Sequence, residues 1–236
     1  MTTLLIATRN THKAGEIRSI LGAPFQFLTL NDFPGAPKVV EDADTFAGNA
    51  AKKAVELAKW LAEKHRTSNI EHRTPIFVLA DDSGLEVDAL NGAPGVHSAR
   101  FAALDRSADG SSASPAGNSP DADNNAKLLR LLADVPLKNR TARFHCVIAL
   151  VGIGGASVPA SRLVRSLAPH AIFDGVCEGR IIFAPRGKNG FGYDPLFAPV
   201  GYELTFAELG DEVKNQLSHR AKALAKLNEY FGNKKR

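Results

Sequence analysis

Two adjacent carboxylates, Asp81 and Asp82, end an apolar run in FVLADDSGLEV, residues 77–87, and are followed by Ser83 and Gly84. Paired acids at the end of a buried strand are costly unless a cation neutralises them. Mg²⁺ takes one or two carboxylates completed by water and substrate phosphates, so it suits such a pair and would remove the penalty. Ser83 as a hydrolase nucleophile is the rival reading, but the G-x-S-x-G turn that would expose it is missing. A second acidic group, Glu41, Asp42 and Asp44, precedes a long helical segment. Acids in that place serve equally well as partners of the helix dipole.

Basic residues occur where helices disfavour them. In ATRNTHK, Asn10 or Thr11 is a suitable N-cap, which sets Lys13 in the first helical turn. A lysine there opposes the dipole unless an anion lies near, and a helix N-terminus itself binds phosphate. The pattern is not a GxxxxGK[ST] loop, and a solvated surface lysine would give it too. SHRAKAL repeats the anomaly, because Ser218 as a cap places His219 and Arg220 at the positive end of a helix. GKNGFGYD, 187–194, offers Phe191 and Tyr193 as an aromatic surface on which a base could stack. An ordinary turn with a core aromatic has the same residues, and the glycines do not fit a dinucleotide fingerprint. The seven histidines show no close metal-ligand spacing. No zinc site is expected, and His145 reads as a core or rim histidine.

These groups need elements to position them. TTLLIAT (2–8) reads as a buried strand, and a helix follows with Ala14, Ile17, Ile20 and Leu21 on one face, stopped by Gly22 and Pro24. FQFLTL (25–30) is a second strand. The clearest helix runs from about Thr45 to His65, with Ala51, Val55, Ala58 and Ala62 opposite Lys52, Lys59 and Glu63. PIFVLA (75–80) and GLEVDAL (84–90) read as two further strands. Residues 106–123 are small and polar and read as a flexible inserted loop. A helix at 125–135 and long strands at 141–152 and 171–183 follow, with a second variable loop between those strands. Thr205 and Glu208 have capping-box spacing, and a last helix spans about 218–231. This is an α/β protein with a mixed sheet.

The 236 residues, 44% hydrophobic, can build one substantial core, as one domain of two lobes or as two small domains. The formal charge is +4, but Lys and Arg are dispersed, so no nucleic-acid-binding stripe forms. Cys146 and Cys177 lack a CxxC spacing and read as small buried hydrophobes rather than a disulfide. The segment MTTLLIATRN lacks the basic start and apolar length of a signal peptide. No apolar run approaches the ~20 residues that span a bilayer. The expectation is a soluble, cytoplasmic protein with no membrane or nucleic-acid partner.

In combination the segments resemble the RdgB-type inosine/xanthosine triphosphate pyrophosphatases, which remove noncanonical purine nucleotides. The resemblance rests on ATRNTHKAGEI with Thr8, Asn10, Lys13 and Glu16, and on EDADTFAGNAAKKA with Glu41, Thr45, Phe46 and Asn49. LADDSGLEVDALNGAPGVHSARFA (79–102), FHCVIAL, GFGYDPLF and KNQLSHRAKAL complete it in family order. Two departures stand out: His97 occupies a position more often Tyr, and the loop at 106–123 is long.

The resemblance implies a two-lobed single domain, 1–236, around a long twisted mixed β-sheet, with an active-site cleft between the lobes and a homodimeric assembly. It implies Mg²⁺-dependent hydrolysis of ITP, dITP or XTP to the nucleoside monophosphate and pyrophosphate. By position, Thr8, Asn10 and Lys13 would hold phosphates and Lys214 would support the nucleotide. Glu41 and Asp82, with Asp81, would hold the metal, and Asp82 would be the general base. Ser83 would contact substrate, Phe191 would stack on the purine, and Gly192, Tyr193, Asp194, His219 and Arg220 would complete the base pocket. Two alternatives remain: a Maf-like nucleotide pyrophosphatase of other base specificity, and a non-catalytic nucleotide-binding module. The second is disfavoured because pure binding has no use for costly acids beside phosphates.

Overall fold

The computed structural model describes residues 1–67, 76–104, 117–153 and 169–233. Its elements are β1 (Thr2–Ile6), α1 (Thr11–Leu21), β2 (Phe25–Thr29), α2 (Phe46–Thr67), β3 (Ile76–Val87), α3 (Asp121–Leu131), β4 (Thr141–Ile153), β5 (Ala171–Ile181), β6 (Phe197–Pro199), α4 (Phe206–Leu217) and α5 (His219–Asn233). The strands form one sheet in the order β2-β1-β3-β4-β5-β6. β1 runs parallel to both β2 and β3, with Leu4 opposite Phe27 and Phe77, while β5 and β6 are antiparallel. The fold is therefore α/β with a mixed sheet, as the alternation of patterns indicates.

The chain divides into two compact units, one of Met1–Asp82, Cys146–Asp174 and Ala223–Arg236, the other of Ser83–His145 and Gly175–Lys222. The core of the first joins Leu4 and Ile6 of β1, Ile17 and Leu21 of α1, Leu79, Ile148 and Leu150 of the sheet, and Leu224 and Leu227 of α5. Burying each such side chain contributes about 1.5–3 kcal/mol. Phe231 closes this core edge-on against Phe25 and Phe77, with ring centroids 5.3 and 5.1 Å away. The core of the second unit gathers Leu85, Val87, Leu128, Leu132, Phe144, Leu196, Phe197 and Phe206.

Local chemistry sets the element ends. Asn10 caps α1, its Oδ1 accepting from the amides of His12 and Lys13, and Gly22 ends the helix at φ 64°. Thr205 and Glu208 form a reciprocal capping box on α4. The Ser218 hydroxyl accepts from the Ala221 amide at 3.1 Å and so caps α5.

The structure corrects the sequence reading in three places. The two strands expected at 75–80 and 84–90 are one, β3, which runs unbroken through Asp81, Asp82, Ser83 and Gly84 with Val78–Asp82 all buried. α3 begins at Asp121, inside the expected loop of 106–123, since Pro120 opens the turn and Asp121 and Asp123 complement the helix dipole. Residues 106–116 of that loop lie outside the described residues, as does most of the second variable loop. The three-residue β6 was not expected. Both cysteines are buried and neither is in a disulfide, as expected. Among the described residues no helix is long and apolar enough to cross a membrane.

Candidate active site

In the first unit, β3 carries Asp81 and Asp82 into the interior, at 5% and 6% exposure. Cations from two helices meet them. Asn10 holds the start of α1 so that Lys13, in its first turn, reaches Asp81 with Nζ 2.6 Å from Oδ1. Lys53 of α2 donates to the Asp81 carbonyl at 3.0 Å and pairs with Glu41 at 2.5 Å. The segment bearing Glu41 is tied down by buried Asn49, whose Oδ1 accepts from the Ala43 amide at 2.9 Å. The Cys146 thiol donates to Asp81 Oδ2 at 3.0 Å, so both Asp81 oxygens are engaged. Thr8 lies on the turn before α1, where its hydroxyl accepts from the Asn10 amide.

Asp82 differs from its neighbour. Burial pushes its carboxyl up to about 6 from 3.8, and Glu41 and Asp81 push the same way, against the attraction of Lys13 and Lys53. A carboxylate poised near neutrality is what a general base needs.

The donor set also fits a divalent ion. Glu41, Asp81 and Asp82 against Lys13 and Lys53 leave these five side chains one charge negative when all are ionised, which repels a polyphosphate. Among the described residues no group of three or more His, Cys, Asp or Glu side chains is arranged as a metal cage. Mg²⁺ does not need one, because it takes one or two carboxylates and finishes its shell with water and phosphate oxygens. Glu41, Asp81 and Asp82 are the carboxylates at hand, of which Asp81 also holds Lys13 and Cys146 and Glu41 also holds Lys53.

The second unit assembles the remaining residues. Asp194, 2% exposed, binds the Phe191 amide at 2.8 Å and Lys214 Nζ at 2.6 Å through Oδ2. Lys214 in turn lies 4.5 Å from the centre of the Phe191 ring. Gly190, at φ 76°, admits no side chain, because a Cβ would strike the Asp194 carboxylate. The Tyr193 hydroxyl donates to Ser98 O at 2.9 Å, and Ser98 Oγ accepts from the Leu85 amide, so this loop is fastened to the segment after Ser83. Arg220 donates to Ser83 Oγ at 2.9 Å, and its guanidinium carbon lies 6.0 Å from the Phe191 ring centre. His219 stacks on Phe144 at 4.8 Å and 13°.

The predicted residues thus gather in two sets. Thr8, Asn10, Lys13, Glu41, Asp81 and Asp82 belong to one unit, and Ser83, Phe191, Gly192, Tyr193, Asp194, Lys214, His219 and Arg220 to the other. Sequence reasoning missed Lys53. It lies four residues from Asn49 and four from Leu57, in a row facing the interior, and a lysine in that row was the available signal. The bond from Cys146 to Asp81 had none, because spacing says nothing about a partner 65 residues away.

A family model described as the Ham1 family matches residues 4–230. The chain is 44% identical to a dITP/XTP pyrophosphatase of Desulforamulus reducens, over 96% of this chain and 94% of the relative. It is 46% identical to a dITP/XTP pyrophosphatase of Geobacter sulfurreducens, over 98% of each. The solved structure of a HAM1 protein from Coxiella burnetii matches with a TM-score of 0.72 and 34% identity, covering 99% of this chain and all of that one.

A folded value of about 6 against 3.8 unfolded means that the fold binds the Asp82 proton more tightly. Asp82 therefore favours folding fully below pH 3.8, and that contribution is lost as pH rises through 6. Asp82→Asn removes the cost of ionising a buried acid, about 3 kcal/mol at most. In EDTA at pH 8 the variant is expected to be more stable than wild type in urea denaturation, with the advantage gone at pH 4. A pH-independent difference would contradict the burial of an ionisable Asp82.

Proposed function

The chain belongs to the Ham1 family, and on that footing we propose that it hydrolyses dITP, XTP and ITP to the nucleoside monophosphate and pyrophosphate. The names of its relatives, dITP/XTP pyrophosphatases, support this purine specificity over that of a Maf-like enzyme. The observation that carries the chemistry is Asp82, a buried carboxylate with its proton affinity raised to about 6, set beside Lys13 and Lys53.

In the proposed reaction Asp82 accepts a proton from water as the water oxygen bonds to the α-phosphorus. The bond from that phosphorus to the bridging oxygen breaks, and pyrophosphate leaves. Lys13 and Lys53 stabilise phosphate charge from fixed positions, which is where most of the acceleration in phosphoryl transfer arises. Thr8 and Asn10 shape the turn that presents Lys13 and the α1 N-terminus to phosphate. Glu41 and Asp82 would hold Mg²⁺, which would supply charge neutralisation on the phosphates and a polarised water. Asp81 acts by fixing Lys13, because both its oxygens are engaged.

For the base, Phe191 offers the stacking face, with Gly192, Tyr193 and Asp194 holding its loop and Lys214 supporting it. Arg220 and His219 read the 6-oxo group of hypoxanthine or xanthine, and Ser83 orients Arg220. Adenine has an amino donor in place of that acceptor, so it leaves those donors unpaired. A cytoplasmic homodimer of one two-lobed domain completes the proposal and rests on the family resemblance.

With Mg²⁺, pyrophosphate release from dITP, XTP and ITP is expected to exceed that from ATP and GTP by far, and EDTA to abolish it. Equal rates on all five nucleotides would sink the specificity, and orthophosphate as first product would sink the reaction. Asp82→Asn is expected to lower kcat by about a hundredfold or more while the folded protein still binds nucleotide; near-normal turnover would remove Asp82 as base. In ¹⁸O-water the label is expected in the monophosphate, and label in pyrophosphate would place the attack at the β-phosphorus.

A further inference from the structure

Phe191 sits in a loop whose glycines, Gly190 and Gly192, both have positive φ, at 76° and 63°. Such a backbone has many alternatives, and something must select one. Asp194 and Lys214 hold the loop from its own side. A second hold comes from α3, which is distant in sequence. Asp121 Oδ2 accepts from the Gly192 amide at 2.6 Å, and Asn125 Nδ2 donates to the Gly192 carbonyl at 3.0 Å. The two side chains lie four residues apart on one helix face and take both polar groups of the residue that follows Phe191.

Asn125 is buried at 8% exposure, and among the described residues no donor reaches its Oδ1. A buried acceptor left without a hydrogen bond is a cost to the fold. What the Asn125 side-chain amide does hold is the Gly192 carbonyl.

We propose that Asp121 and Asn125 are positioning residues for base recognition, clamping Gly192 so that the Phe191 ring is held at the angle a purine stacks on. This rests on the assignment of Phe191 to the base in the proposed function. A group that stacks only when correctly aimed loses affinity once its loop is free to sample other orientations, because the ordering cost then falls on binding.

The test compares wild type with Asn125→Ala, Asp121→Ala and Asp121→Asn by steady-state pyrophosphate release from dITP and dATP. Both alanine variants are expected to melt close to wild type. Their KM for dITP should rise roughly three- to tenfold with kcat within about twofold, the scale of one hydrogen bond. kcat/KM for dATP should fall by a similar factor, because a stacking face serves both purines while the 6-oxo group is read by Arg220 and His219. Asp121→Asn keeps an acceptor for the Gly192 amide and should restore KM. Because Asp121 is exposed, its variants keep the question open to measurement even if Asn125→Ala does not fold. An unchanged KM, a loss confined to kcat, a loss on dITP that spares dATP, or no rescue by Asp121→Asn would overturn the proposal. Absence of pyrophosphate release from wild type would overturn the functional reading itself, and this proposal with it.

Discussion

Carboxylates in the middle of a hydrogen-bonded strand cannot swing out to bulk water, so cations have to be brought to them. In the first unit this requirement organises everything near β3. α1 delivers Lys13 from its first turn, a position its dipole disfavours, and α2 delivers Lys53 from its inward-facing row. Asn49 fastens the segment that carries Glu41 to the same helix. The compensation is unequal, and that inequality separates the two acids. Asp81 is fully engaged by Lys13 and Cys146, while Asp82 keeps a raised proton affinity because burial outweighs both lysines.

The second unit solves a different problem with different means. Its loop around Phe191 has to be flexible in conformational preference and fixed in position. Glycines at positive φ permit the path, and a buried carboxylate, Asp194, pins it from within. Tyr193, bound to Ser98, ties the loop to the segment that follows β3. The bond from Arg220 to Ser83 holds a second polar group near the aromatic face. Helices and β3 carry Lys13, Lys53, Asp81 and Asp82 of the first unit, whereas side-chain hydrogen bonds shape the loop of the second.

The sequence disclosed groups that are locally unfavourable more readily than those that are locally ordinary. Asp81–Asp82 after an apolar run, Lys13 in a first turn and His219–Arg220 at another helix start all conflicted with simple propensity, and each lies in one of the two sets. Lys53 was overlooked because a lysine in a helix is unremarkable until its row is known to face inward. Asp121 fell into a stretch read as loop because Ser, Ala, Gly and Pro around it masked a Pro-Asp helix start. The continuity of β3 through four polar or small residues was also hidden, since interruption is the usual meaning of such a run. Cys146 could not have been paired with Asp81 at all, because that contact depends on two strands lying side by side in the sheet.

One consequence follows from the parallel pairing of β1 and β3, in which Ile6 stands opposite Leu79. Lys13 lies seven residues beyond the first of these and Asp81 two beyond the second, so their 2.6 Å contact is a measure of chain length on both sides. One residue inserted between Leu79 and Asp81 would displace the carboxylate by about 3.3 Å and turn it to the opposite sheet face. One inserted between Ile6 and Thr11 would rotate Lys13 away from it. The spacing of these two short stretches is therefore as much a part of the active centre as the side chains, and length changes there would be tolerated less readily than many substitutions.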